Sequence, residues 1–235
     1  MNHSVDEATA ITNTVLTALQ QTVPGPQTTA SAQLAFLCGQ LSAGAPSLLD
    51  IPANQIGDLA AYFTELQACF DQATTAGATY ETMNAIVVLV PTLNPKYNLG
   101  AAVSNFVMRM ALAEQANILA AFTFTNREQI DNYLNEIVAS FGPAIEVAAD
   151  NMDQLVYQSL IALQSAVVND LSIRAIPLPQ IVTVTYPVAL PALTIAQRLY
   201  QDPTQVATLV AMNDIPAPLF CPRSLQVLSV GPAQP

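Results

Sequence analysis

The sequence predicts a mainly α protein, a helical-bundle body followed by a small C-terminal unit of order βααβ, and three observations carry that prediction. Apolar residues recur at offsets of three and four from Ala8 to Leu171, the period of helices that each bury one face. Apolar types make up 52% of 235 residues, enough for a sizeable core, while charged types make up only 10%. From Ile176 the pattern changes: prolines surround an alternating β-branched run, then two short amphipathic stretches and a second β-branched run follow.

Each element has its own signal. Between Ser4 and Thr22, Ala8, Ile11, Val15, Ala18 and Leu19 share one helical face, and Ser4 with Glu7 has the form of a capping box. "VPGPQTT", residues 23–29, stops that helix with two prolines and a glycine. Helical patterns resume over Ala30–Leu41 and Ile56–Thr74, separated by an "AGAPSLLDIPAN" loop. In the stretch 78–98, Tyr80, Met83, Val87 and Val90 fit a helix ending before Pro91; its Val-rich part fits a short buried strand equally well.

From Asn98 the signal strengthens. Val103, Phe106, Val107, Met110 and Leu112 begin a helix running to about Phe122, and Asn126 with Gln129 resembles a capping box for the next. Ile130, Leu134, Ile137 and Val138 mark that helix's buried stripe. After "FGPAIE", Met152, Leu155, Val156, Leu160, Leu163, Val167 and Leu171 mark a third, a set that reads as neighbours in a bundle.

Residues 176–180 read as a Pro-rich linker that divides the body, 1–175, from a module, 181–235. The module's expected elements are a strand Ile181–Tyr186, helices Ala192–Tyr200 and Pro203–Asn213, and a strand Leu225–Val230. Asp202 is the N-cap of the second helix and Pro203 its first residue. Leu199, Leu209 and Leu228 are the expected core. Strand, helix, helix, strand in so short a span is the order of a LysM-like domain.

Composition narrows the function. Six basic residues against seventeen acidic give a formal charge of −11, which disfavours nucleic acid as a partner. A charged fraction well below the ~25% of an average domain leaves a surface of Ala, Thr, Gln and Asn, or one covered by other subunits, and points to assembly. Asp6 and Glu7 stand where a signal peptide has Lys or Arg, so no targeting segment is expected. The run Ala85–Val90 falls far short of the ~20 residues that cross a bilayer, and 106–124 is broken by Arg109 and Glu114, so no membrane span is expected. Cys38, Cys69 and Cys221, odd in number and widely spaced, fit buried thiols in a reducing compartment.

No catalytic constellation emerges. The single histidine, His3, lies at the N-terminus, where a Ser-His-Asp or Cys-His arrangement has no support. Glycine-rich phosphate loops of the GxGxxG and GxxxxGK[ST] kinds are lacking, and no tryptophan is present for sugar stacking. Between Arg127 and Arg174, Glu128, Asp131, Glu136, Glu146, Asp150, Asp153 and Asp170 form an acidic series without EF-hand spacing, which reads as a solvated face. The expectation is a chain that is not an enzyme, with no catalytic, cofactor-binding or metal-binding residues.

The run "LVYQSLIALQSAVVNDLSIRAIPLPQIVTVTYPVALPALTIAQRLYQDPTQVATLVAMNDIP" resembles the C-terminal part of the DNA circularisation (circulation) proteins of Mu-like tailed phages. "ALAEQANILAAFTFTNREQIDNYLNEI" resembles their helical middle, so the likeness spans Asn98–Val230. Leu190, Pro191, Ala196, Arg198, Leu199, Tyr200, Asp202, Asn213 and the strand to Ser229 carry it. The family's β-rich N-terminal domain has no counterpart in residues 1–97. The resemblance implies a virion protein, made in the host cytoplasm and built into the tail or baseplate as a homo-oligomer among other tail proteins. Its LysM-like module would be a docking adaptor, with Arg198, Tyr200, Asp202 and Asn213 as candidate docking positions. Arg198 either bridges to an acidic neighbour or covers apolar surface with its stem. The alternative is a peptidoglycan-binding LysM protein, against which the loops "YPVALP" and "FCPRS" stand, since they lack the usual Gly-Asp-Thr and Pro-Gly.

Overall fold

The computed structural model describes residues 3–21, 23, 28–50 and 59–229. Among them the chain is mainly helical, with α1 (His3–Gln21), α2 (Thr29–Leu49), α3 (Ala60–Thr75), α4 (Tyr80–Leu89), α5 (Asn98–Ala121), α6 (Arg127–Asp150) and α7 (Gln154–Ala175) preceding the C-terminal elements. These are β1 (Ile181–Thr185), α8 (Ala192–Tyr200), α9 (Val206–Met212) and β2 (Ser224–Leu228). The turn expected at 24–27, the start of the third helix at Ile56 and the strand end at Val230 lie outside the described residues.

Two compact units result, one of residues 1–122 with 137–167 and one of 123–136 with 168–235. In the first, α2 packs on α1 and α3, and α5 packs on α1, α3 and α4. Its core includes Val15, Leu19, Leu34, Leu66, Phe70, Met83, Ile86, Val103 and Leu112. A polar pair is buried there too: Thr12 Oγ1 donates to the Ala8 carbonyl at 2.7 Å, so the Tyr62 hydroxyl, 2.6 Å away, is the donor between those two side chains. Burial pushes the Tyr62 phenol up to about 12.

Capping follows local sequence, though not always where expected. Thr28 with Ser31 and Thr79 with Thr82 form reciprocal boxes at the starts of α2 and α4. Asn126 Oδ1 accepts from the Gln129 N–H at 3.0 Å, as the sequence predicts. Ser4, expected to cap α1 in a box with Glu7, lies within α1, which is described from His3. Glu7 instead reaches the start of α5, where its carboxylate accepts from the N–H groups of Lys96 at 2.8 Å and Tyr97 at 2.9 Å. The helical alternative holds at 80–89, followed by a 3-10 turn, Val90–Leu93, that takes up Pro91.

Two prolines expected to break helices lie inside them. Pro46 falls within α2 and Pro143 within α6, so the "AGAPSLL" and "FGPAIE" segments are helical. An interior proline costs ~3 kcal/mol or more, but the buried stripes Leu41, Ala45, Leu49 and Ile137, Phe141, Ala144, Ala148 continue past each one. Packing on both sides offsets the lost hydrogen bond. Three expected core positions are exposed: Val138, Met152 and Leu155. Met152 has φ 55° in the turn before α7, and Leu155 is out of phase with the buried Leu160, Val167 and Leu171.

Candidate docking surface on the βααβ unit

Within the second unit, β1 and β2 pair antiparallel with Ile181 opposite Leu228 and Thr185 opposite Ser224. Ala192 and Ile195 of α8, Leu209 of α9, and Leu225 and Val227 of β2 close a core with Ile215 and Cys221. Leu209 is thus core, as expected, and Leu199 packs partly buried against it. Leu228 is not in that core: strand alternation puts Leu225 and Val227 inward and leaves Leu228 half-buried. The helix expected over Pro203–Asn213 divides into a 3-10 turn, Pro203–Gln205, and α9. One backbone contact and one carboxylate hold the start of α6 beside β1. Arg127 N–H donates to the Pro179 carbonyl at 3.0 Å, and Ile181 N–H donates to Glu128 Oε1 at 2.8 Å.

Three of the four candidate docking residues spend their polar atoms inside the unit. Tyr200 hydroxyl accepts from the Leu228 N–H at 3.0 Å, and partial burial of the phenol pushes its pKa up. Asp202 accepts from the Thr204 N–H at 2.9 Å and from the Thr204 hydroxyl at 2.7 Å, which holds its carboxyl below the ordinary range. Asn213 bonds both the N–H and the carbonyl of Gln226, and also donates to the Leu209 carbonyl at 3.0 Å. Tyr200 and Asn213 therefore converge on β2, while Asp202 caps the turn into α9. Arg198 is exposed on α8.

The surface that sequence reasoning did not single out lies at the loops. Ala192 N–H donates to the Pro218 carbonyl at 2.7 Å, and Cys221 N–H donates to the Leu190 carbonyl at 3.1 Å. These bonds set 190–192 beside 218–221. On and next to the paired segments stand Val188, Leu193, Leu219 and Phe220, exposed by 55%, 58%, 69% and 75%. Neither 175–197 nor 215–222 contains a charged residue, and Pro187, Pro191, Pro216, Pro218 and Pro222 restrict both backbones. Large apolar side chains clustered on a proline-stiffened rim are the kind of surface that protein contacts cover. The signal in the sequence was the pair of loops "YPVALP" and "FCPRS", read for the residues they lack and not for the leucines, valine and phenylalanine beside them.

In the first unit a cleft of about 230 Å³ runs between α5, the turn after α4 and the second half of α6. Its walls are mostly apolar, and Arg109, its one charged lining residue, pairs with Asp153 at 3.6 Å. Among the described residues no three His, Cys, Asp or Glu side chains gather as a metal site, and no helix is long and apolar enough to cross a membrane. Compared with protein-family models and with curated proteins, the chain matches none.

Proposed function

We propose that this chain is a structural component of a phage tail or baseplate, docking neighbouring tail proteins through its helical body and a C-terminal LysM-like adaptor. The observation that carries the reading is the uncharged apolar rim of Val188, Leu193, Leu219 and Phe220. Four large side chains on one rim have no reason to stay in water when a partner can cover them. Resemblance of residues 98–230 to the circularisation proteins of Mu-like phages supplies the kind of partner, a neighbouring virion protein. This reading assigns the chain no catalysis and no cofactor. Tyr200, Asp202 and Asn213 keep the adaptor folded so that its loops are presented, and Arg198 is free to meet an acidic neighbour.

Mass spectrometry of purified phage particles tests the proposal. The chain is expected as a stoichiometric virion component, and its absence from particles sinks the reading. A pulldown on insoluble peptidoglycan separates the alternative. The full chain is expected in the unbound fraction, whereas saturable retention favours a glycan-binding protein.

A further inference from the structure

We propose that the outer edge of β1 is an interface between two copies of this chain, which pair their β1 strands antiparallel into one continuous sheet. The two edges of the β1–β2 pair are unlike. Tyr186 N–H donates to the Arg223 carbonyl at 2.7 Å and Ser229 N–H to the Gln180 carbonyl at 2.6 Å, so the even-numbered residues of this stretch bond β2. Ile181, Thr183 and Thr185 therefore turn their N–H and C=O groups away from it. On β2, Asn213 and Tyr200 occupy the outward groups of Gln226 and Leu228. On β1, Glu128 Oε1 takes the Ile181 N–H at 2.8 Å. Among the described residues nothing bonds the outward groups of Thr183 and Thr185, and both residues are exposed. A strand edge with free donors and acceptors is a template for another strand.

The strand complements itself. With Val184 facing its own counterpart across a two-fold axis, Thr183 of each copy lies opposite Thr185 of the other. Each of these pairs exchanges two N–H···O=C bonds, which uses every free group of both residues. The side chains match in the same register. Threonine meets threonine on the outer face, a favourable cross-strand pair. On the inner face, where Val184 and Tyr186 pack against the core, Val182, 39% exposed, meets Tyr186 of the other copy. Neighbouring registers are blocked at both ends: one calls on the Ile181 N–H that Glu128 holds, and the other on Pro187, which has no N–H. Charge does not oppose the contact, because 175–197 carries none although each chain carries −11. A two-fold pairing consumes the edge on both copies and so closes at a dimer. The inference holds whether or not the chain belongs to a phage tail.

Sedimentation equilibrium of the full chain over a concentration series tests this, and wild type should pass from monomer to dimer. Thr183→Pro deletes one outward N–H and sets a ring in the path of the second strand while leaving the bonds to β2 in place. It should match wild type in circular dichroism and stay monomeric where wild type is dimeric. Thr183→Cys and Thr185→Cys read the register, since the native Cys38, Cys69 and Cys221 are buried. When the two variants are mixed and oxidised, peptide mapping should find 183 joined to 185 several-fold more often than 183 to 183 or 185 to 185, which lie on diagonals. The wild-type masses and the crosslink map do not depend on the proline variant. A wild-type chain monomeric up to its solubility limit, a folded Thr183→Pro chain that dimerises as wild type does, or crosslinks without the 183–185 preference overturns the proposal. None of these results alters whether the chain is found in phage particles, the measurement on which the tail reading stands.

Discussion

Asn213 and Gln226 exchange two hydrogen bonds. Asn213 Nδ2 donates to the Gln226 carbonyl at 2.7 Å, and the Gln226 N–H donates to Asn213 Oδ1 at 2.8 Å. One side-chain amide thus does for the open edge of β2 what another strand would do, and Tyr200 does the same two residues on, at Leu228. The end of α9 is locked to the sheet by this pairing.

Asn213→Ala should therefore weaken the βααβ unit by ~1–2 kcal/mol, because the groups left behind are at the surface and regain water in part. Asn213→Asp should lose at least as much: it keeps the acceptor for the Gln226 N–H but sets a carboxylate oxygen against the Gln226 and Leu209 carbonyls. Urea denaturation measures the loss, and hydrogen exchange at the Gln226 amide should accelerate in the alanine variant.

Gly100→Ala should destabilise the first unit. In an exposed helix this change gains up to ~1 kcal/mol, but a Cβ at Gly100 would sit 2.6 Å from Glu7 Oε2 and 3.2 Å from both Ile11 Cδ1 and Pro95 Cβ. Glu7 is fixed there by Lys96 and Tyr97 and cannot move without freeing the start of α5. A net loss of ~1–3 kcal/mol is expected, as for overpacking elsewhere. Glu7→Ala with Gly100→Ala together should recover part of the helix gain, which thermal melts of the four chains will show.

Tyr62 sets an alkaline limit. Its folded pKa, about 12, lies above the ordinary 10, so its contribution is fully present below 10 and is lost as pH rises from 10 towards 12. Tyr62→Phe should be weaker at neutral pH, leaving Thr12 without its donor, and should lose less stability than wild type between about pH 8 and about pH 11. Urea midpoints for both chains across that range measure the difference.

Leu209→Ala should cost ~2–5 kcal/mol, enough to unfold a unit this small, while Leu228→Ala, at a half-buried strand end, should cost much less. Limited proteolysis should cut the first variant within 181–229 and leave α1–α5 intact. Equal effects would mean that Leu225 and Val227 do not define the inward face of β2.

These positions also show what the sequence could convey. Signals complete within a few residues were legible: the bounds Ala192–Tyr200 of α8, Asp202 ahead of Pro203, and Asn126 ahead of α6 all emerge from local chemistry. Outcomes decided by partners distant in the chain were not. Pro46 and Pro143 carry a local stop signal that buried stripes override, and Glu7 satisfies a helix that begins some ninety residues later. For β2 the alternation was present, yet the periodic pattern was read with Leu228 inward, whereas pairing Leu225 with Val227 across the outward Gln226 gives the inward face. As for the candidate docking residues, polar types were singled out, and Tyr200, Asp202 and Asn213 turned out to bond their own backbone. The apolar rim needed the fold, because only the bonds from Ala192 to Pro218 and from Cys221 to Leu190 bring its two loops together.

The central claim is that this rim docks the chain into a particle, and the direct measurement is incorporation. In a phage lacking its own copy of the gene, wild-type chain, Phe220→Asp and the control Gln201→Asp should be supplied in turn, and the chain quantified in purified particles. Phe220 and Gln201 are both exposed, so circular dichroism and proteolysis should find all three chains equally folded. Wild type and Gln201→Asp are expected in particles at equal copy number, with Phe220→Asp reduced by tenfold or more. Full incorporation and infectivity of a folded Phe220→Asp chain would contradict the account.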